Sequence, residues 1–355
     1  MKIIHIVGAR PNFMKAAPVI EAISGFPQIK QSLVHTGQHY DANMSQIFFD
    51  QLGMPRPDHN LEVGSGSHAR QTAEIMVRFE DVILADMPDL VLVYGDVNST
   101  IATALVATKA GIRVGHVEAG LRSWDRSMPE EINRVLTDQI SDYFFTPSGD
   151  ADENLKREGV EASKIFRVGN VMIDTLVKLL SKAREPKIPG RQDRFVLVTL
   201  HRPSNVDDPE TLGRLLGTLN RISKNIQVIF PIHPRTRRRV EEFKLSDLGA
   251  NVLLTDPFGY LEFLWLQQHA SVLVTDSGGI QEETTYLQIP CLTMRENTER
   301  PITSEIGTNV MVGKDTARLE KEIQKVLQGR GKKGAIPELW DGKAGQRIAE
   351  ILARL

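Results

Sequence analysis

Titratable side chains in this 355-residue chain collect where short apolar runs end. Gly8-Ala-Arg10 follows the first run, with Lys15 just beyond. Gly95-Asp96 follows Leu-Val-Leu-Val-Tyr. Glu118 and Arg122 follow Val-Gly-His-Val, His201-Arg202 follows Leu-Val-Thr-Leu, His233-Pro-Arg235 follows Ile-Phe-Pro-Ile, and Asp276-Ser-Gly-Gly279 follows Val-Leu-Val-Thr. A lone Asp behind a strand is ordinarily an N-cap or a turn residue. Six such ends together point to one shared cleft. The inventory is acids (Asp96, Glu118, Glu130) with cations or neutral bases (Arg10, Lys15, His201, Arg300). Cations suit a pyrophosphate, and crowded carboxylates take spread pKa values, so that one serves as base and another as acid. This is the equipment for breaking or rearranging a nucleotide–sugar bond. By itself it does not separate an epimerase from a glycosyltransferase.

The octet 276–283 reads as a phosphate seat. Its glycines admit close backbone approach, and Ser277 with the N–H groups of a helix start can donate to an anion. Glu283, one turn into that helix, can hold two ribose hydroxyls or serve simply as a first-turn acid. The octet lacks the Lys of a P-loop, and no Gly-x-Gly-x-x-Gly occurs, so a dinucleotide site or a Walker ATPase is not supported. In the helix that starts at Pro129, Ile132, Val135, Leu136 and Ile140 share one stripe. Glu130 and Arg134 fall on its far side, spaced as an i, i+4 ion pair. Arg235, Arg237, Arg238 and Arg239 read as a solvated helix face. His5 and His116, inside apolar strands, read as satisfied core residues.

These residues need a scaffold that gathers strand ends. The apolar runs 2–7, 31–36, 89–94, 113–117, 143–146 and 165–168, then 194–200, 226–232, 251–255, 271–275, 290–294 and 309–312, suit strands buried on both faces. Helical patterns such as 13–24, 100–110 and 209–222 separate most of them. The alternation predicts an α/β protein of two doubly wound, Rossmann-like domains facing a cleft, with ligands beyond the carboxyl ends of the strands. The polar Pro/Gly stretch 185–193 reads as a linker or domain-edge loop.

Composition bounds the class. The length suits two domains of roughly 150 residues or more. A net charge of −2 supplies no field for nucleic acid or an anionic membrane. A single cysteine, Cys291, excludes an internal disulfide and fits a reducing compartment. No Cys/His cluster has zinc spacing, so no metal is expected. The first apolar run is too short for a signal peptide, and no run reaches membrane-spanning length. A cytoplasmic location follows as the expectation.

The motifs now carry a resemblance. Gly-Ala-Arg-Pro-x-x-x-Lys-x-Ala-Pro (8–18), Thr-Gly-Gln-His (36–39), Gly-Asp (95–96), Gly-His-Val-Glu-Ala-Gly-Leu-Arg (115–122), Pro-Glu-Glu-x-Asn-Arg (129–134), His-Arg (201–202), Thr-Asp-Ser-Gly-Gly-Ile-Gln-Glu-Glu (275–283) and Thr-Glu-Arg-Pro (298–301) occur in order. Over residues 1 to about 315 the chain resembles the non-hydrolysing UDP-N-acetylglucosamine 2-epimerases, which share a glycosyltransferase-B-like fold. The resemblance implies an N-terminal domain of residues 1–170, with a C-terminal helix near 340–355 packing back on it, and a UDP-binding domain of 171–339. It implies epimerisation at C2 by loss and re-addition of UDP through 2-acetamidoglucal, without a cofactor. Asp96, Glu118, Glu130 and His201 would be catalytic. Arg10, Lys15, Arg134, His233, Phe258, Ser277, Gly278, Gly279, Glu283 and Arg300 would bind the UDP-sugar. Gln38, His39 and Arg70 resemble part of a site where some members bind a second UDP-N-acetylglucosamine as activator. A homodimer is also implied, with no nucleic-acid or membrane partner.

The chain departs from the family pattern at Asn12, usually Glu, and over His201-Arg-Pro-Ser-Asn205, usually His-Arg-x-Glu. Its Gly-Ala-Arg-Pro-x-Phe opening also resembles epimerases of UDP-2,3-diacetamido-glucuronate. Other readings are a glycosyltransferase of the same architecture, a hydrolysing epimerase, and a UDP-sugar sensor without catalysis. The last conflicts with the presence of all three acids.

Overall fold

The computed structural model of the chain describes residues 1–38, 49 and 51–355. Two all-parallel sheets form. The first contains β1 (Lys2–Val7), β2 (Lys30–His35), β3 (His59–Asn60), β4 (Leu90–Tyr94), β5 (Arg113–Val117), β6 (Tyr143–Thr146) and β7 (Ile165–Arg167), in the order β3-β2-β1-β4-β5-β6-β7. The second contains β8 (Phe195–Thr199), β9 (Gln227–Pro231), β10 (Val252–Thr255), β11 (Val272–Thr275), β12 (Cys291–Thr293) and β13 (Asn309–Met311), in the order β10-β9-β8-β11-β12-β13. The expected α/β class with two doubly wound sheets is what forms.

The central strands are buried along their length because helices cover both sheet faces. In β4 every residue of Leu-Val-Leu-Val-Tyr is buried. Val91, Val93 and Val114 share one core with Ile83, Ala104 and Ala107 from the covering helices. In the second sheet Val196, Val198, Val228 and Val274 pack against Leu212, Leu215 and Leu219 of the helix Pro209–Ile222. That helix opens on Asp208, whose carboxylate accepts the N–H of Thr211 at 2.8 Å, with Pro209 at its first position.

The chain divides into two compact units, Met1–Lys178 with Glu338–Leu355, and Leu179–Pro337. The C-terminal segment is tied into the first unit by polar anchors. The Trp340 indole donates to the Pro147 carbonyl at 2.9 Å. Asp174 accepts the N–H groups of Ala344 and Gly345, at 3.1 and 2.7 Å, where the helix Ala344–Leu352 begins. The stretch 185–193, read from the sequence as a linker or domain edge, lies inside the second unit. There the Arg191 guanidinium stacks 4.8 Å from the Trp265 ring centre, and Gln227 accepts the N–H of Gln192. Among the described residues, no helix is long and apolar enough to cross a membrane.

In each sheet the strand order reverses once, between β1 and β4 and between β8 and β11. Chain connections diverge at such a point and leave a crevice beyond the strand ends, where ligands of open α/β sheets bind. The first reversal carries Arg10 and Asp96. The second carries His201 and Asp276-Ser277.

Candidate active site

In the first unit the candidate acids stand at neighbouring strand ends. Glu118 directly follows β5 with φ of +71°, a left-handed conformation uncommon for a residue with a side chain. It is buried and forms an ion pair with Lys15 of the helix Arg10–Ile23. Gly95 makes that approach possible. A Cβ at Gly95 would stand 2.5 Å from Lys15 Nζ and 3.1 Å from Glu118 Oε2, and its φ is +63°.

Asp96 pairs with the Arg134 guanidinium. Arg134 is itself buried and also donates to Glu131 Oε2, at 3.0 Å from Nε and 2.9 Å from Nη2. Glu131 further accepts the N–H groups of Ser123 and Trp124, both at 2.9 Å. Burial alone would raise its pKa, but these donors and Arg134 hold it below the usual range. Glu130, one residue earlier, is exposed.

The i, i+4 spacing of Glu130 and Arg134 left a plain surface pair as the bland alternative to a site role; the buried arginine pairs with Asp96 and Glu131. The helix Pro129–Ile140 buries Glu131, Asn133, Arg134, Thr137 and Asp138, while Ile132 and Leu136 of its apolar stripe are 44% and 49% exposed. Polar groups at the strand ends need partners more than the core needs two further aliphatic chains.

The departure at Asn12 has a structural use. Its Oδ1 accepts the N–H groups of Gly8 and Ala9, at 3.2 and 3.0 Å, and its Nδ2 donates to the Tyr94 carbonyl at 2.7 Å. The amide thus joins the ends of β1 and β4. A carboxylate lacks the donor for the last bond. Arg10 is exposed at the start of its helix.

Gln38 is occupied internally, its Oε1 accepting the N–H and hydroxyl of Ser99 at 3.0 and 2.7 Å. Arg70 is exposed and, with Gly64, Ser67, Gln71 and Glu74, lines a cavity of about 320 Å³. His39 lies outside the described residues. His5 and His116 are both buried and hydrogen-bonded. His5 meets the Tyr94 hydroxyl at 2.7 Å and Gln31 at 2.9 Å, and burial pushes its pKa down to about 4.

In the second unit, Asp276 is fully buried under the end of β8. It accepts the N–H groups of His201 and Arg202, at 3.0 and 2.8 Å, and Asn205 Nδ2 at 3.0 Å. His201 Nδ1 lies 3.1 Å from the same carboxylate. A carboxylate at Nδ1 selects the tautomer with its proton there and leaves Nε2 for a ligand. The sequence reading had not assigned Asp276 a role. Its place one strand over from His201 comes from the β8–β11 pairing. The His233 ring lies 5.6 Å from that of His201. Burial first, then the neighbouring His201 and Arg235, lower its pKa.

Ser277 caps the helix Gly278–Leu287 through its backbone alone, its side chain making no capping bond. A Cβ at Gly278 would stand 2.6 Å from Arg300 Nη1, so the glycine lets that guanidinium lie against the helix start. Gly279 follows in the first turn. Arg300 is buried, paired with Glu299 and, at 2.8 Å, with Glu282. Glu283 accepts the Tyr260 hydroxyl at 2.9 Å and Gln267 Nε2 at 2.6 Å. Phe258 is partly buried against the core of Phe195, Leu197 and Ile229. The basic run is satisfied by neighbours: Arg235 and Arg239 on Asp207, Arg237 on Asp256, Arg238 on Glu242.

Acids set against cations in one unit, and a glycine-lined helix start beside a histidine in the other, match the needs of a nucleotide-sugar reaction. Known proteins agree. A sequence profile described as UDP-N-acetylglucosamine 2-epimerase matches residues 21–353. The UDP-2,3-diacetamido-2,3-dideoxy-D-glucuronate 2-epimerase of Pseudomonas aeruginosa is 46% identical over the whole of both chains. The crystal structure of the Methanocaldococcus jannaschii UDP-GlcNAc 2-epimerase in complex with UDP-GlcNAc and UDP is 44% identical, covers all of both chains and superposes with a TM-score of 0.90. A lipopolysaccharide outer core galactosyltransferase, 14% identical with a TM-score of 0.58, shares the fold alone. With nearly its full length matched by that profile and by these relatives, the chain belongs to the UDP-N-acetylglucosamine 2-epimerase family.

Proposed function

We infer that the chain inverts C2 of UDP-N-acetylglucosamine to give UDP-N-acetylmannosamine, losing UDP to form 2-acetamidoglucal and re-adding it with the proton on the opposite face. The carrying observation is the seating of two acids, Glu118 on Lys15 and Asp96 on Arg134, at adjacent strand ends. A C2–H bond is weakly acidic and yields its proton only as positive charge develops at C1 and the diphosphate departs. Asp96, Glu118 and Glu130 exchange the proton. His201, oriented by Asp276, donates from Nε2 to the leaving diphosphate. Ser277, Gly278 and Gly279 present N–H groups to the diphosphate, with Arg300 as the cation against that helix start; Arg10 and Lys15 are the cations that the first unit offers the UDP-sugar. Glu283 takes the ribose hydroxyls, and Phe258 lies by the uracil. Arg134 acts through Asp96.

The Pseudomonas aeruginosa relative favours a second sugar, UDP-2,3-diacetamido-glucuronate, for the same chemistry. Three further properties join this reading. Val77, Leu84, Ile132 and Leu136 are exposed on helices of the first unit and support a homodimer. The cavity at Arg70 supports an activator site for a second UDP-sugar. A lone buried cysteine supports a cytoplasmic location.

Proton NMR of the purified protein with UDP-N-acetylglucosamine in heavy water tests the reaction. UDP-N-acetylmannosamine deuterated at C2 is expected. Free N-acetylmannosamine would mean hydrolysis, and an unchanged spectrum would move the assay to the diacetamido-uronate. Light scattering tests the dimer, with Ile132→Glu expected to yield monomers.

A further inference from the structure

His116 lies in the middle of the first sheet with no solvent access, and both ring nitrogens are engaged. Nδ1 lies 2.6 Å from Asp138 Oδ1, and Nε2 lies 2.8 Å from the Gly95 carbonyl. The second oxygen of Asp138 accepts the Gly120 N–H at 3.1 Å and pairs with Arg122 at 2.7 Å. Arg122 in turn holds Glu158 through two bonds of 2.7 and 2.5 Å. Burial would raise the Asp138 pKa, but His116 and Arg122 outweigh it and hold it low.

The two ends of this chain are informative. Gly95 precedes Asp96, and Gly120 lies two residues beyond Glu118. Gly95, Glu118 and Gly120 all take positive φ, at +63°, +71° and +81°. The two glycines take this conformation freely, but for Glu118 it is one a chain leaves unless held. Backbone bonds reach the N–H groups beside them, Gly95 to the Val117 carbonyl and Glu118 and Ala119 to the Phe145 carbonyl, but among the described residues no backbone bond is made by the Gly95 carbonyl or the Gly120 N–H. The His116–Asp138 pair holds both.

Resting on the epimerase reading, we propose that His116 and Asp138 are positioning residues: one hydrogen-bonded brace from the Gly95 carbonyl to the Gly120 N–H that sets the Asp96 and Glu118 carboxylates relative to each other. Neither touches the sugar. Each acts through the turn that carries an acid, and a displacement of about 1 Å at a reacting group can cost about 10²-fold in rate.

The test is a graded series in full-length protein. His116→Phe keeps the ring volume and loses both bonds. Its kcat is expected to fall about 10²-fold, with KM and UDP affinity within about twofold of wild type. His116→Gln retains one donor and falls in between, which also covers a His116→Phe chain that does not fold. Asp138→Asn is the rescue. Its amide can donate to a neutral His116 Nδ1 while its oxygen accepts from Gly120, so kcat stays within about threefold. The primary isotope effect with C2-deuterated substrate grows in His116→Phe and His116→Gln and stays at the wild-type value in Asp138→Asn. A residue that merely stabilises the fold would lower the melting temperature and leave the isotope effect of the folded fraction unchanged, and that result would overturn the proposal. So would an Asp138→Asn enzyme as slow as His116→Phe. Wild-type turnover in the same assay tests the epimerase reading separately.

Discussion

Asp96 and Glu118 of the first unit and Glu283 of the second are seated in different ways. In the first, Asp96 and Glu118 each rest on a cation, Arg134 and Lys15. In the second, Glu283 rests on two uncharged donors, the Tyr260 hydroxyl and the Gln267 amide. A cation compensates the charge and tolerates its coming and going during proton transfer. Neutral donors aim the oxygens and leave the full negative charge to accept further hydroxyls. The contrast separates the part of the molecule suited to moving protons from the part suited to recognition. Asp276 combines the two modes, held by backbone N–H groups on one side and facing His201 on the other.

The sharpest way to break this contrast is to remove the acids. Asp96→Asn and Glu118→Gln should each lower kcat by about 10²–10⁴-fold, the range for general acid–base groups, with UDP affinity by calorimetry unchanged. Loss of UDP binding in both would move them to the nucleotide site. Next in size is Asp276→Asn. Without the carboxylate behind Nδ1, His201 loses its orientation, and kcat should fall about 10²-fold, within the same range, with KM nearly constant. A rise in KM alone would make Asp276 a binding residue.

Glu283→Gln should do the reverse. UDP affinity falls about tenfold, as for loss of one charged hydrogen bond, while kcat at saturating substrate stays within about threefold. A fall in kcat as large as that of Glu118→Gln would erase the distinction between the units.

The smallest effect concerns a carboxylate of the first unit that has only neutral donors and lies buried. Burial pushes the Asp174 pKa from 3.8 to about 6, against the lowering effect of the Gly345 and Ala344 N–H groups. Between those two values the folded chain binds the proton more readily than the unfolded chain. The stabilisation from this group is therefore complete below pH 3.8 and is lost as pH rises through 6. Asp174→Asn is neutral throughout. Its melting temperature, relative to wild type, should improve as pH goes from 4 to 7. A pH-independent difference between the two proteins would refute the assignment.

Most of the architecture was readable because parallel strands buried on both faces leave continuous apolar runs, and six of those runs ended where titratable residues gathered. The acids at β4 and β5 and the glycines after β11 were found in this way. The buried face of the helix Pro129–Ile140 was not. Its 3.6-residue stripe of Ile132, Val135, Leu136 and Ile140 marks one face, and periodicity alone does not say which face the core will take. The competing signal was present in Glu131, Arg134 and Asp138, polar residues spaced three and four apart, but only their partners at the strand ends make that face the buried one. Asp276 was visible as a strand-end acid, yet its tie to His201 spans 75 residues and depends on β8 pairing with β11. Asn12, seen only as a departure from the family pattern, proved to be a strut between two strands.

By itself the sequence determined the class of fold, the alternation of elements, the residues available for chemistry and the family, because each of these is written in local spacing or in long ordered motifs. The tertiary structure decided who partners whom. Lys15 went to Glu118, Arg134 to Asp96, His201 to Asp276, and His116 came to link two turns through Asp138. Those choices follow from strand order and burial. A polar group removed from water must find whichever partner the sheet brings within about 3 Å, and that partner lies on a different strand or helix, at a distance along the chain that no local pattern records.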